Sequence, residues 1–343
     1  MQYRQEAAPP RVSIVIPLYN RVLFTGICVR ALAAVADAGI PTEVLLVDNG
    51  STDGTADFIA ALPPPFRALT NAGNEGFARA CNRGAREAGG AYVLFLNNDT
   101  VPQPGWLAAL LAAAEGTPAP AIVGARLLFP DDTVQHAGIG FSERGEPAHL
   151  AYGFPADDPA TTTSRAVPAV TGACLLMRRD AFLAGGGFDE GYRNGYEDLD
   201  LCCRMRREGG TVRYAADSML YHFESATAGR YAADAANAVR FRERWGASLA
   251  TDALVRGTAT ATTAPVRLAR TYATGADMRR ELERVIADAR AYEGEFVRLD
   301  AAYRELRTDF DRQEAWARGL EADARRLRAR NPLQRLVGRV LRM

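Results

Sequence analysis

Between Arg11 and about Trp245, short apolar runs rich in β-branched residues alternate with Ala-rich stretches of helical spacing. That alternation constrains the fold more than any other feature of the chain: it is the pattern of an α/β domain with a mostly parallel sheet and helices on both faces. The clearest strands cover residues 12–17, 43–48 and 92–97. Each runs into polar residues, Tyr19-Asn20, Asp48-Asn49-Gly50 and Asn97-Asn98-Asp99, so polar groups from separate strands gather at one carboxyl edge. Open α/β sheets bind their ligands at that edge.

Residues 129–165 break the pattern with a Gly-, Pro- and Asp-rich passage too long for an ordinary connection, and an active-site loop is expected there. Apolar β text resumes over 166–178, GGGFDEGY makes a turn, 196–208 reads as a helix, and 212–214 with 219–221 complete the domain. The expected divisions are a tail at 1–10, the α/β domain at 11–250, a linker at 251–272, a long helix at 273–330 and a basic helix at 331–343.

Within 273–330, Met278, Leu282, Val285, Ala289, Tyr292, Phe296, Leu299, Tyr303, Leu306, Phe310, Gln313, Ala317, Leu320, Ala324 and Leu327 alternate spacings of four and three. This is a sustained heptad repeat, the mark of a coiled coil joining a homodimer or another oligomer. Its roughly 50 residues would form a rod about 75 Å long. A single helix lying on its own domain is the other reading. After Asn331-Pro332, Leu333, Leu336, Val337, Val340 and Leu341 share one helical face, and Arg335, Arg339 and Arg342 lie elsewhere. The pattern suits peripheral contact with anionic lipid, and a protein partner or disorder fits it as well.

The chain has 343 residues with 48% hydrophobic content, enough for one large core and an appendage. Its 41 basic and 41 acidic residues cancel, so no global field favours nucleic acid, and none is expected as a partner. Every basic residue is Arg. The cysteines, Cys28, Cys81, Cys174, Cys202 and Cys203, sit in or beside apolar runs without metal-site spacing and read as reduced core thiols. Neither a signal-like N-terminus nor a membrane span is visible, so the expected location is cytoplasmic, peripheral contact at the inner membrane's cytoplasmic face being compatible with it.

Three clusters carry chemistry. Tyr19 and Asp48 follow two strands, where a ring face and a carboxylate can meet a pyrimidine and its imide N–H; a strand-ending turn with Thr52 or Asp53 capping the next helix explains the same text. Asn97 and Asp99 follow an apolar strand as hard oxygen ligands for Mg²⁺ or Mn²⁺, and a polar turn explains them equally. Glu197, Asp198 and Asp200 open a helix, where acids also favour the helix dipole. Asp200 can pair with Arg204 one turn on, which leaves Asp198 as the candidate general base. His222, after a strand-like run, is either structural or a ligand. His136 and His149 stay unassigned.

In this order, VSIVIPLYN, VLLVDNGSTDGT, NAGNEGFARACNRGAREAGGAYVLFLNNDTVPQPGWL, TVQHAGIGF, VTGACLLMRRDAFLAGGGFDEGY, YEDLDLCCRMRREG and YHFESAT closely resemble glycosyltransferase family 2, the inverting enzymes of the GT-A fold. The resemblance covers residues about 11–245. It implies that Pro17, Tyr19 and Asp48 line a nucleoside site bordered by Gly76 and Arg79, with Asn20 and Asn98 also on the nucleotide-sugar side. Asn97 and Asp99 occupy the DxD position, whose first residue is usually Asp, and His222 matches a metal-coordinating His of some members. Asp198 takes the catalytic-base position. Gly187, Phe188, Asp189, Glu190 and Glu197 would lie on the acceptor side. The motifs look most like rhamnosyltransferase-type members, which implies dTDP-rhamnose or a UDP-sugar as donor and a surface polysaccharide or lipid-linked glycan as acceptor.

Two other readings stay open. Nucleotidyl transfer on a similar sheet would attack phosphorus and needs no base beside an acceptor turn, so the GGGFDE and YEDLD pair argues against it. A coiled-coil assembly protein with an inactive transferase domain would not need Asp99, Asp198 and His222 intact.

From the heptads, a chain truncated after residue 270 is expected to sediment as a monomer and the full chain as a dimer or larger species. A monomeric full chain in analytical ultracentrifugation would rule out the zipper.

Overall fold

The structure, a computed structural model, describes residues 9–36, 39–142, 145–223 and 234–252. The expected helices at 273–330 and 331–343 lie outside them, as does all of the 251–272 linker beyond Asp252. The elements run β1 (Val12–Leu18), α1 (Val22–Ala34), β2 (Thr42–Asp48), α2 (Thr55–Ala60), β3 (Phe66–Thr70), α3 (Phe77–Glu87), β4 (Tyr92–Leu96), β5 (Thr100–Pro102), α4 (Trp106–Ala114), β6 (Ile122–Leu128), β7 (Val134–His136), β8 (Ile139–Phe141), β9 (Pro147–His149), β10 (Arg165–Ala166), β11 (Cys174–Arg178), α5 (Arg179–Ala184), α6 (Glu197–Arg207), β12 (Val212–His222) and α7 (Asp234–Thr251).

Among the described residues one large sheet has the order β10-β12-β6-β11-β4-β1-β2-β3, with β5 on β12 and β7 on β6. β3, β2, β1 and β4 are parallel, so their carboxyl ends share one edge, with Leu18 opposite Asp48 and Asp48 opposite Thr70. β11 then runs antiparallel between β4 and β6, and β12 returns parallel to β6. The sheet is therefore mixed, not mostly parallel. β11 reads CLLMR and is buried along nearly its whole length. Such a run carries no alternation from which strand direction can be read.

Two further expectations change. The apolar text over 166–178 divides into the ends β10 and β11, and 212–214 with 219–221 are one strand carrying an irregularity between Ala215 and Met219. The passage 129–165 is not a plain loop, since β7 joins the main sheet and β8 pairs with β9.

Successive side chains of a strand point to opposite faces, and the core divides accordingly. Val15, Leu45, Val47 and Phe95 pack with Ala78, Ala80 and Cys81 of α3 and with Leu199 and Cys202 of α6. Ile14, Ile16, Leu46 and Leu94 pack with Cys28 and Val29 of α1 and with Leu107, Leu110 and Leu111 of α4. Helices thus cover both faces. All five cysteines are buried and free, and burial pushes the Cys28 thiol up to about 12, so it stays protonated.

Gly84 lets α3 lie directly on β1, because a Cβ there would collide with the Val15 side chain. Gly84→Ala is therefore expected to destabilise the domain by about 1–3 kcal/mol through overpacking. An unchanged urea midpoint would show that α3 has room to move.

Candidate functional site

The carboxyl ends of β1, β2 and β4, the segment 171–173 and the turn 194–198 enclose an open cleft. Pro17, Tyr19, Asn97, Asn98, Asp99, Glu197 and Asp198 line it, each expected from the sequence. Asn49, from the polar end of β2, lines it as well, and Asn74, Phe77, Thr171, Gly172, Asn194 and Gly195 line it and were not expected. Tyr19 is 39% exposed, so its ring face is open at the surface.

His222 reaches the cleft wall because the end of β12 pairs antiparallel with β5, His222 opposite Thr100 and Tyr221 opposite Val101. The Phe223 N–H also donates to the Asp99 carbonyl at 3.0 Å. As a result His222 Nε2 stands 3.0 Å from Asp99 Oδ1 and 3.3 Å from Asn97 Nδ2. The other ring nitrogen, Nδ1, lies 2.6 Å from Gln135 Oε1. The Gln135 amide nitrogen faces the His222 carbonyl at 3.4 Å, which turns Oε1 toward the ring and makes Nδ1 the proton donor. Nε2 is left facing the Asp99 carboxylate oxygen, where a cation between them would be held by both. Two adjacent ligands with metal bonds of about 2.1 Å stand about 3 Å apart, so Asp99 and His222 fit a divalent ion. Asn97 is a third, uncharged candidate.

Asp198 sits in the first turn of α6, where free backbone N–H groups favour a carboxylate. Its Oδ2 accepts the Gly172 N–H at 2.7 Å and its Oδ1 the Leu199 N–H at 2.8 Å. Glu197 is turned back on its own loop, with Oε2 accepting the Gly195 N–H at 2.7 Å. Asp200 is fully buried and committed elsewhere, to Arg204 Nε at 2.8 Å, Trp245 Nε1 at 2.9 Å and Arg244 Nη1 at 3.0 Å.

At the end of β2, Asp48 is buried below the cleft surface. Its Oδ1 accepts the Ser51 N–H and hydroxyl, whereas Oδ2 is buried without a hydrogen-bond partner. An unpaired buried carboxylate oxygen is costly, of the order of 1–3 kcal/mol or more, and calls for an explanation.

Several expected site residues are placed otherwise. Asn20 ties two turns together, its N–H donating to Ser51 Oγ and its Oδ1 accepting from Thr52. The Gly76 carbonyl accepts from Asn49, and Arg79 pairs with Glu190 at 3.2 Å on the surface. The turn expected on the acceptor side contributes nothing to the cleft lining. The Gly187 carbonyl accepts from Arg204, Phe188 packs among Phe77, Phe95 and Phe182, Asp189 pairs with Arg240 and Arg244, and Glu190 binds Arg79 and Asn82. Neither Thr52 nor Asp53 takes the cap position before α2; Gly54 does, while Asp53 accepts the N–H groups of Val22 and Thr55. His136 and His149 face each other with Nδ1 atoms 3.0 Å apart, and burial, reinforced by His149, holds His136 well below the usual imidazole range.

The model of glycosyl transferase family 2 matches residues 13–185, a segment spanning half of the chain. The chain belongs to that family. The O-antigen biosynthesis protein RfbC of Myxococcus xanthus is 35% identical over 228 residues, covering 64% of this chain, and the chain spans only 18% of that protein. An N-acetylglucosaminyl-diphospho-decaprenol L-rhamnosyltransferase of Mycobacterium tuberculosis is 33% identical over 215 residues, covering 55% of this chain and 69% of that protein. Among solved structures, the mannosyltransferase PcManGT of Pyrobaculum calidifontis, in complex with GDP-Man and Mn²⁺, superposes with a TM-score of 0.53 at 18% identity over 76% of this chain and 73% of that one. That likeness concerns the fold, a mixed α/β sheet of GT-A type. Asp198, His222 and α7 all lie beyond the segment that defines membership in this glycosyl transferase family.

Gln135 is predicted to orient His222 as a ligand. Gln135→Leu should weaken Mn²⁺ binding by about 10–100-fold with the melting temperature of the metal-free protein little changed. An unchanged Mn²⁺ affinity in calorimetry would refute that role.

Proposed function

We propose that this family member transfers a sugar from a nucleoside diphosphate sugar to an acceptor hydroxyl with inversion of configuration, and that Asp198 is its general base. The observation that carries the reading is the convergence of Asp198, Asn97 and Asp99 on one cleft, with His222 Nε2 closing on Asp99 at 3.0 Å. A carboxylate for a proton and a pair of ligands for a diphosphate-bound cation are what a single displacement at an anomeric carbon requires.

In this reading Tyr19 stacks on the nucleoside, and the unpartnered Oδ2 of Asp48 accepts the imide N–H of a pyrimidine, which would account for its burial. Asn97, Asp99 and His222 would hold Mg²⁺ or Mn²⁺, and the ion when bound would offset the charge of the departing diphosphate. Asp198 takes the proton of the acceptor hydroxyl, kept in place by the Gly172 N–H. The hydroxyl oxygen forms its bond to the anomeric carbon on one side as the bond to the diphosphate oxygen breaks on the other. The electron pair leaves with the nucleoside diphosphate, and Asp198 returns its proton to solvent.

The names of the relatives support a finer statement. One refers to O-antigen biosynthesis and another to L-rhamnosyl transfer onto a diphospho-decaprenol-linked sugar. The proposed donor is accordingly dTDP-rhamnose or a UDP-sugar, and the proposed acceptor a growing surface polysaccharide or lipid-linked glycan. Among the described residues no helix is long and apolar enough to cross a membrane. Contact with a lipid-borne acceptor is assigned to the basic 331–343 stretch, and assembly to the heptads.

Mass-spectrometric screening of dTDP-rhamnose and UDP-sugars with Mn²⁺ should show release of a nucleoside diphosphate. Asp198→Asn should lower transfer by about 10²–10⁴-fold and leave nucleoside diphosphate binding intact. Near-normal turnover in that variant would sink the base assignment. Pyrophosphate as product would establish nucleotidyl transfer instead, and no product from any donor would favour the assembly reading.

A further inference from the structure

The turn that leads into α6 has an unusual backbone. Asn194, Gly195 and Tyr196 all have positive φ, at 52°, 147° and 72°. Asn194 and Tyr196 are therefore non-glycine residues in left-handed conformations, which persist only where surrounding contacts over-determine them. Asn194 and Gly195 line the cleft, and Glu197 and Asp198 follow at once. The backbone of this turn sets the direction in which the proposed base projects.

What over-determines the turn comes from α7, beyond the family-matched segment. Asn237 Nδ2 donates to the carbonyls of Arg193 at 2.9 Å and Gly195 at 3.0 Å, and Asn237 Oδ1 accepts the Arg193 N–H at 3.3 Å. The residue is only 4% exposed and does not line the cleft. Both of its amide donors serve a single turn, as does its carbonyl oxygen. α7 is also latched to α6, since Trp245 and Arg244 reach the buried Asp200 and the Phe241 ring lies 5.5 Å from that of Tyr196. On the opposite side Asn194 Oδ1 accepts the Phe77 N–H at 3.2 Å, fastening the turn to α3.

We propose that Asn237 is a positioning residue for the transfer reaction: through the backbone of Arg193 and Gly195 it holds the left-handed turn that aims Asp198 into the cleft. The proposal rests on the reading of Asp198 as the base. A residue that only stabilised the fold would change how much protein is folded and leave the rate per folded molecule unaltered. A residue that aims the base changes that rate, because small displacements of a reacting group are costly: about 1 Å can lower it 10²-fold.

The test uses the full chain, with Asn237→Ala alone and combined with Asp198→Asn, and Asn237→Ser as a second variant if the first folds poorly. Melting temperature, UDP dissociation constant, kcat and acceptor KM are measured. The expected result is a fall in kcat per folded molecule between about tenfold and 100-fold, with UDP affinity within about twofold of the native chain. That fall should vanish in the Asp198→Asn background, because two changes acting through one group are not additive. A normal kcat in Asn237→Ala beside a crippled Asp198→Asn overturns the positioning proposal alone. An equal fall in both backgrounds also overturns it, by placing the effect elsewhere than on Asp198. Near-normal turnover in Asp198→Asn overturns the base reading and the proposal together.

Discussion

Backbone pairing between the end of β12 and β5 is the constraint on which the site depends. β5 begins at the residue after Asp99, so the register that puts His222 opposite Thr100 also puts its ring beside the Asp99 carboxylate. The two side chains do not need to attract each other. The ladder hydrogen bonds between β12 and β5 hold the pair in place whatever the two side chains contribute to each other. A slip of one residue would bring Tyr221 to that position and carry the His222 side chain to the other face of the sheet. After the irregularity between Ala215 and Met219 the strand pairs with both neighbours at once, Leu220 and Tyr221 lying opposite β6 as well as β5.

The positions of Asp99 and Asp198 were legible because both belong to simple local patterns, a polar residue after an apolar strand and an acid at a helix start. Asp200 shows how far such patterns reach. Its pairing with Arg204 follows from helical spacing, and the structure adds Arg244 and Trp245 from α7, which spacing cannot show. The turn at 187–190 shows the same limit of local pattern. Its two acids are engaged by Arg79, Arg240 and Arg244, which approach from other elements.

Gln135 and Asn237 escaped the sequence for a different reason. Gln135 stands inside a quoted motif, TVQHAGIGF, but its partner is His222, a separation of 87 residues, and a buried glutamine gives no local signal. Asn237 lies in DAANAV, where a lone amide among alanines reads as a solvated helical position. The mixed direction of the sheet was hidden because a strand buried on both faces looks alike in either orientation. Local residue order conveys which groups are chemically able, and long-range packing decides which of them are held still.

The hydrogen bond from Gly172 N–H to Asp198 joins the segment shared across the family to the segment that follows it. Its donor is main chain, so no exchange of side chains at 172, short of proline, can delete it. Exchange can only displace it, because a Cβ at 172 would meet Phe77 and Asp198 at 3.3–3.4 Å. The two sides of this junction are therefore tied through backbone position and not through the identity of a side chain at 172. Whatever surrounds it, the Asp198 carboxylate finds its partner only while the backbone at 172 keeps its place.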